Sequence, residues 1–393
     1  MRPTLLTVRS SFFLLAASIL VSSRSIAQVS RYELGGYIEY LYGSLDVPPI
    51  GRADENLFHS RINSRFFPAE GMTLAAELRN RIYFGGVVKN TPDFLSTIEA
   101  QHDFGKADIV WWNTNSSVGY SELDRAWVDG NYGKFNVTIG RQRIAWGTDL
   151  VWNPTDLFNP LSILDFDYEE RPGVDAARFQ YYSSEVSKIE LAVKPGVTRD
   201  HSVIAGKILL NRWNYDFHFL GGERARQPLF GFAWAGDIAG AGFRGEFLTA
   251  KASDEAVILF PSLKDKWSTS TALSFDYTFP STFYLHTEGL YNNQGVTHNT
   301  STAQFLATAL NLLTPARWSI FQEISYDIHP LVHLSGFLIF NPNDKSIALV
   351  PSLSWSALTN LDLMAIGLFF NGDPLTEYGN YGKSIFLRAK FSF

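Results

Sequence analysis

Ser384-Ile385-Phe386-Leu387-Arg388-Ala389-Lys390-Phe391-Ser392-Phe393 ends the chain. Ile385, Leu387, Ala389, Phe391 and Phe393 fall on one side of this stretch, and Ser384, Phe386, Arg388, Lys390 and Ser392 on the other. Successive side chains of a β-strand point to opposite faces, so this period of two describes a strand between an apolar and a wetter phase. The same period recurs upstream. Leu74, Ala76, Leu78, Ile82 and Phe84 oppose Thr73, Glu77, Arg79, Arg81 and Tyr83, while Phe58, Ser60, Ile62, Ser64 and Phe66 oppose His59, Arg61, Asn63 and Arg65. Leu273, Phe275, Tyr277 and Phe279 repeat it, as do Val332, Leu334, Gly336, Leu338 and Phe340.

The connections alternate too. Tight turns at 68–71, 131–134, 183–188, 211–212, 237–240, 280–282, 329–330 and 357–360 are interleaved with mostly longer, polar connections at 44–55, 85–120, 144–173, 195–201, 221–227, 251–266, 293–315, 342–346 and 372–382. Short turns at one end and long loops at the other are the habit of outer-membrane barrels. The reading is all-β: a transmembrane antiparallel up-and-down β-barrel of about 18 strands, an even number as single-chain bacterial barrels have, with both termini periplasmic. The terminal Phe393 resembles the C-terminal signature by which such barrels are recognised for assembly. Pro351 falls mid-strand and lacks an amide for the ladder, so a bulge or register break is expected there. Rings at strand ends (Tyr40, Tyr42, Trp213, Trp234, Trp267, Phe279, Tyr291, Trp318 and Trp355) suit two aromatic girdles at the membrane interfaces.

The beginning of the chain fits that destination. Arg2 and Arg9 precede an apolar run from Phe12 to Val21, and Ser25-Ile26-Ala27 offers small residues at the −3 and −1 positions of a cleavage site. This is read as a signal peptide over residues 1–27, leaving 28–393 as the barrel. Removing Arg2, Arg9 and Arg24 leaves 30 basic against 39 acidic side chains, a net charge of −9. That balance argues against nucleic acid as a partner. With no cysteine, disulfides and thiolate metal sites are excluded. Aromatics make up 15% of the chain, and dispersed hydrophobicity of this kind suits a sheet with one face toward lipid.

The inward charges are the candidate functional residues. Early strands supply Arg61 and Arg65, then Glu77, Arg79 and Arg81, then Arg125 and Asp129, then Arg141 and Arg143. Adjacent strands are about 4.8 Å apart, so these gather into a basic patch on the lumen wall. Later strands supply Asp216, Glu246, Asp276, Glu288, Glu323 and Asp327, giving a transverse field across the bore. Arg141 needs a device to face inward, because Phe135, Val137 and Ile139 set the lipid face. A bulge at Gly140 is expected to supply it. The loop that follows, 144–173, is rich in Trp, Pro and Asp and too apolar for a solvated flap. It is expected to fold inward as a constriction, burying Trp146, Trp152 and Phe158, with Asp156 among them. No enzyme motif is present, neither a Gly-x-Ser-x-Gly elbow nor His-Glu-x-x-His, and the eight histidines are scattered. A non-enzyme without a cofactor is expected.

Gly140-Arg141-Gln142-Arg143-Ile144-Ala145-Trp146-Gly147, followed by Asn153-Pro154-Thr155-Asp156, resembles the alginate-export and porin-like family of bacterial outer-membrane barrels. The local likeness spans about residues 121–182. It implies about eighteen strands and an arginine-rich lumen and places Arg141 and Arg143 at the constriction; alginate itself is not implied. The expected function is an outer-membrane porin-like channel for passive diffusion of small hydrophilic, anionic solutes. The alternative is a plugged barrel that binds or anchors a surface polysaccharide. Expected partners are outer-membrane lipid, the barrel-assembly machinery reading Phe393, and small anionic or saccharide solutes, with a homotrimer left open.

Overall fold

A computed structural model describes residues 31–48, 51–98, 105, 107–159, 164, 170 and 172–393. The expected signal peptide, 1–27, lies outside the described residues. From Tyr32 the chain forms one compact unit. Its strands are β1 (Tyr32–Val47), β2 (Gly51–Ala69), β3 (Met72–Phe84), β4 (Asp108–Thr114), β5 (Ser117–Tyr132), β6 (Phe135–Gln142), β7 (Val174–Tyr182), β8 (Lys188–Lys194), β9 (Val203–Arg212) and β10 (Tyr215–Arg224). They continue as β11 (Gln227–Ile238), β12 (Ala241–Lys251), β13 (Trp267–Thr278), β14 (Tyr284–Asn292), β15 (Trp318–His329), β16 (Val332–Phe340), β17 (Ile347–Leu358), β18 (Leu361–Asn371) and β19 (Lys383–Ser392). Short helices sit in the connections at the long-loop end: α1 (Gly86–Asn90), α2 (Phe94–Ile98), α3 (Asp254–Leu259) and α4 (Gln304–Leu310).

Eighteen of these strands form a closed antiparallel wall, each paired with its sequence neighbours, with β3 passing directly to β5 and β19 returning to β1. The seam runs from Asp46↔Lys383 to Tyr37↔Ser392. Phe393 extends it, exchanging two 3.0 Å backbone hydrogen bonds with Gly36. Closure pairs the first wall strand with the last, as a spanning sheet requires. The outward positions carry the apolar set: Ile38, Leu78, Ile139, Phe179, Phe219, Phe275, Leu349 and Ile385 are all exposed on the wall. Side chains between them are buried against the interior. An apolar exterior around a polar interior on a closed antiparallel sheet is the architecture of the bacterial outer membrane, and the barrel belongs there.

Both termini of the barrel stand at the short-turn end. Several of those turns need left-handed backbone: Trp213 and Asn214 have φ of 56° and 61°, and Ala239 and Gly240 of 54° and 86°. Two central residues with positive φ match the right-handed twist of the flanking strands.

Four sequence expectations change. The wall has the eighteen strands anticipated, but 85–120 was read as one loop and contains β4, which among the described residues pairs with β5 alone. β6 stops at Gln142, where the chain turns away, and β4 takes the edge of β5 above it. The connection 44–55 is short, since the β1–β2 ladder runs to Val47↔Gly51. Likewise 221–227 is mostly strand, with Ala225 and Arg226 forming the turn. Pro351 causes no register shift: Leu349↔Phe369 and Ser352↔Ile366 keep one register across a gap in the pairing. Its ring lies between Gly336, its partner on β16, and Gly367, which leave room for it.

Candidate functional site

The wall formed by β19, β1, β2, β3 and β5 carries a layer of charged side chains on its inner face. Alternation along β2 and β3 turns His59, Arg61, Glu77, Arg79 and Arg81 inward, and all five are buried. On β5 the pairing slips by one between Glu77↔Arg125 and Leu78↔Leu123, a bulge that sets Asp124 and Arg125 on the inner side together. Arg61, fully buried, bonds Glu77 and reaches Asp124 at 2.6 Å. Arg79 meets Glu122 at 2.6 Å, and Arg125 stands 3.4 Å from Glu77. Arg81 donates to the Tyr83 hydroxyl (2.9 Å) and lies over the Tyr120 ring. At the seam Glu39 faces His59 and Arg388, each at 3.8 Å, and the Lys390 ammonium sits 4.3 Å above the Tyr37 ring. Sequence reasoning collected the cations and missed Glu122 and Asp124, their carboxylate partners. Strand β5 begins four residues earlier than expected, and the bulge resets its parity. The wall is therefore an alternating network of ion pairs, in which Arg61, Arg79, Arg125 and Arg388 are compensated at short range by Glu77, Asp124, Glu122 and Glu39.

The other anticipated residues lie elsewhere. Arg65 stands at the short-turn end, exposed, 3.8 Å from Glu33. Asp129 is also near that end, accepting from Asn131, Asn136 and Thr138. Arg141 requires a correction. Gly140 has a positive φ of 119°, but the register passes through it unbroken, from Val128↔Ile139 to Ala126↔Arg141 and from Ile139↔Ala177 to Arg141↔Asp175. Two positions from the lipid-facing Ile139, Arg141 keeps the outward parity and is no lumen residue. It is covered instead: its guanidinium bonds Asp175 (2.9 Å) and the carbonyls of Leu123 and Gly105. Burial and full pairing replace the bulge as the way this charge is tolerated. Arg143 is exposed just beyond the end of β6.

From Ile144 to Asn159 the chain folds inward as a strap, and it was for this stretch that burial was anticipated. Trp146 is 1% exposed, Phe158 3%, and Trp152 and Asp156 are also buried. Ile144, Trp146, Leu157 and Phe158 pack on the small inner residues Ala176, Ala192 and Ala205 and on Leu220, Leu229 and Leu248. Val151 and Trp152 pack on a second sector that includes Leu290, Phe321 and Ile339. Trp146 and Phe158 meet edge to face at 5.0 Å, and the Lys207 ammonium lies 5.2 Å from the Trp146 ring. Burying this backbone requires acceptors for its amides, and the acids of the later strands supply them. Glu246 on β12 accepts the amides of Thr148, Asp149 and Thr155 and the Thr155 hydroxyl. Glu288 on β14 accepts those of Val151 (3.1 Å) and Trp152 (2.7 Å). Trp146 donates its indole N–H to Glu190 on β8. Asp149 accepts from Ser274 at 2.7 Å; its burial, and then the charges of Glu288 and Glu246, push its carboxyl up to about 8, against the Ser274 bond and Arg244. Of the six acids expected to line an open wall, Glu246 and Glu288 thus anchor the strap. The other four have partners on the wall itself: Asp276 pairs with Arg244, Asp327 meets His333 at 2.6 Å, Glu323 stands 3.7 Å from His286, and Asp216 accepts from Asn211 at 2.7 Å.

Neither a protein-family model nor a curated protein sequence matches the chain. Among solved structures it is similar to OccK11 (OpdR) of Pseudomonas aeruginosa, at 8% identity with a TM-score of 0.56 over 92% of this chain and 96% of that one. OccAB2 of Acinetobacter baumannii gives 8% and 0.57 over 94% and 99%. OccK5 (OpdH) of Pseudomonas aeruginosa gives 10% and 0.57 over 92% and 98%. At such identities the likeness is one of fold. The comparisons support a porin-like outer-membrane barrel and single out no alginate-export family.

Proposed function

We propose that the chain is a passive outer-membrane channel for small hydrophilic solutes, narrowed by the strap 144–159 and preferring anions. The observation that supports this best is the charged inner wall of β19, β1, β2, β3 and β5 inside a closed apolar exterior. Ion-paired side chains of both signs on a pore wall replace the hydration of a polar solute stepwise, so a passing solute exchanges one partner for the next. Arginine in that wall favours carboxylate and phosphate groups through its planar donor fork. The strap, fixed by its backbone to Glu246 and Glu288, sets the width; its rigidity comes from the wall that holds it.

Single-channel recording in planar bilayers tests the proposal. Steady current with an anion-shifted reversal potential is the expected result, and replacing Arg79, Arg81 and Arg143 with neutral residues should move that potential toward cations. Electrical silence together with retention of a surface polysaccharide would instead favour a plugged anchoring barrel.

A further inference from the structure

At the long-loop end, above the strap, a cavity of about 380 Å³ lies between Leu157 and Phe158, the upper ends of the neighbouring strands, and the helices α3 and α4. That volume is within the roughly 300–1,000 Å³ of small-molecule sites. Its lining is apolar below and to one side, where Leu157, Phe158, Val203, Ala250 and Ala252 are all buried. Ala256 and Leu310 close it from the helices.

Among the described residues, one cation lining this cavity, Arg224, has no ion-pair partner. Arg224 is the last residue of β10, on the inward series of His218, Leu220 and Gly222, and it is partly buried. The other charges around it have partners: Arg226 pairs with Asp200 at 3.0 Å, Lys251 with Asp265 at 3.1 Å, and Arg199 with Glu223 at 3.9 Å, while Lys194, also in the lining, is engaged elsewhere and His201 bonds the Thr198 hydroxyl at 2.8 Å. Arg224 itself makes no ion pair or side-chain hydrogen bond among the described residues. Glu255, the remaining acid of the lining, is exposed on the first turn of α3. Arg224 differs in this from Arg61, Arg79, Arg125 and Arg388 of the charged wall, each of which already has a carboxylate. A guanidinium held beside apolar surface without a counter-ion presents a planar fork of donors to an oxyanion. A sugar would desolvate hydroxyls against Leu157 and Phe158 without hydrogen bonds in return, and a small inorganic anion would leave the apolar floor wet.

We propose that this cavity is a capture site for an amphipathic monoanion, with the oxyanion head on Arg224 and an aromatic or branched apolar body on the Leu157–Phe158 floor. The assignment rests on the channel reading and names the solute class that the long-loop mouth would concentrate before passage. Equilibrium binding to the full-length barrel in detergent tests it, with 3-phenylpropanoate, its neutral amide and acetate as probes. Saturable binding of 3-phenylpropanoate is expected, with the amide and acetate each weaker by roughly 10- to 100-fold, the worth of a charge-assisted hydrogen bond or of a buried ring. Arg224→Gln should bring 3-phenylpropanoate down to the level of the amide, and Ala250→Leu, which fills the floor, should weaken it while leaving acetate unaffected. Equal binding of acetate and 3-phenylpropanoate, or full binding by Arg224→Gln, overturns the proposal. Conductance of the unaltered protein, recorded in parallel, reports on the channel reading separately: a silent barrel that still binds 3-phenylpropanoate refutes the channel and keeps the site.

Discussion

The Glu246 carboxylate on β12 accepts the backbone amide of Thr155 at 2.8 Å and its hydroxyl at 2.7 Å, joining residues 91 positions apart. The same side chain takes the amides of Thr148 and Asp149. Removing the acceptor leaves several buried donors unsatisfied, each costing about 1–3 kcal/mol. Glu246→Ala is therefore expected to release the strap while leaving the wall closed. Protease cleavage within 147–156 and a larger, noisier single-channel conductance would report the release. A strap that stays protected would show that its aromatic packing alone holds it.

What could be read from the residues follows the reach of each signal. Alternation is local, so Leu78 outward and Arg79 inward were legible, and so were the eighteen wall strands. The burial of Trp146 and Phe158 was legible from composition, because two large rings have no place in a solvated flap. Partners across the bore were not: Glu246 and Glu288 read as inward acids, but nothing near them in the chain says that amides about a hundred residues away will meet them. Arg141 was misjudged because a glycine in a strand fits either a bulge or an unbroken ladder, and its cover, the Gly105 carbonyl, comes from another connection. β4 was missed because Trp111-Trp112 interrupts the period of two, at the place where its pairing with β5 shifts register. Arg224 was hidden by its turn, since Ala225-Arg226 carries none of the usual Asn or Gly for two residues at positive φ.

The Arg61–Asp124 pair should behave as a buried charge pair. Both side chains are fully buried, 2.6 Å apart. Arg61→Gln strips the principal counter-ion from Asp124, and breaking such a pair costs about 3–5 kcal/mol. Replacing both, Arg61→Gln with Asp124→Asn, leaves two neutral groups that can hydrogen-bond and should recover most of that loss. The temperature at which the folded barrel loses its compact migration on gels measures the effect. Equal losses in the single and double variants would mean that the pair is not coupled.

Strap docking should weaken as pH rises. Asp149, on the strap, has its carboxyl raised from 3.8 to about 8 by burial and by the nearby charges of Glu288 and Glu246. A raised carboxyl keeps its proton in the docked state and loses it in the released one, so docking binds a proton between those two values. Its stabilising contribution is full below about pH 4 and declines as pH climbs toward 8. Glu377 in the 372–382 connection, raised to about 7 chiefly by burial, acts with the same sign on its own loop. Asp149→Asn preserves an acceptor for Ser274 and cannot ionise. Proteolysis of the strap should accelerate between about pH 4 and about pH 8 in the unaltered barrel and stay flat in Asp149→Asn. An unchanged profile in that variant would assign the dependence to another group.

Gly140 offers a test of the unbroken ladder around Arg141. With φ of 119° and no Cβ, it lets β6 pass close to the Ala126 carbonyl; a methyl group there would collide with that carbonyl and with Trp127. Gly140→Ala adds both the collision and the cost of an unfavourable backbone region, about 1–3 kcal/mol for the latter alone. Because Arg141 is the next residue, the strain falls on the Arg141–Asp175 pair and on its bond to the Leu123 carbonyl. Gly289→Ala is the control, since open space surrounds that position. Gly140→Ala should lower the heat resistance of the folded barrel while Gly289→Ala leaves it unchanged. If instead Gly140→Ala were harmless, the backbone there would have to relax to an ordinary strand, and the side chain of Arg141 would be free to find another partner than Asp175. A lost dependence on Asp175, measured by comparing Asp175→Asn in the two backgrounds, would then reveal the change.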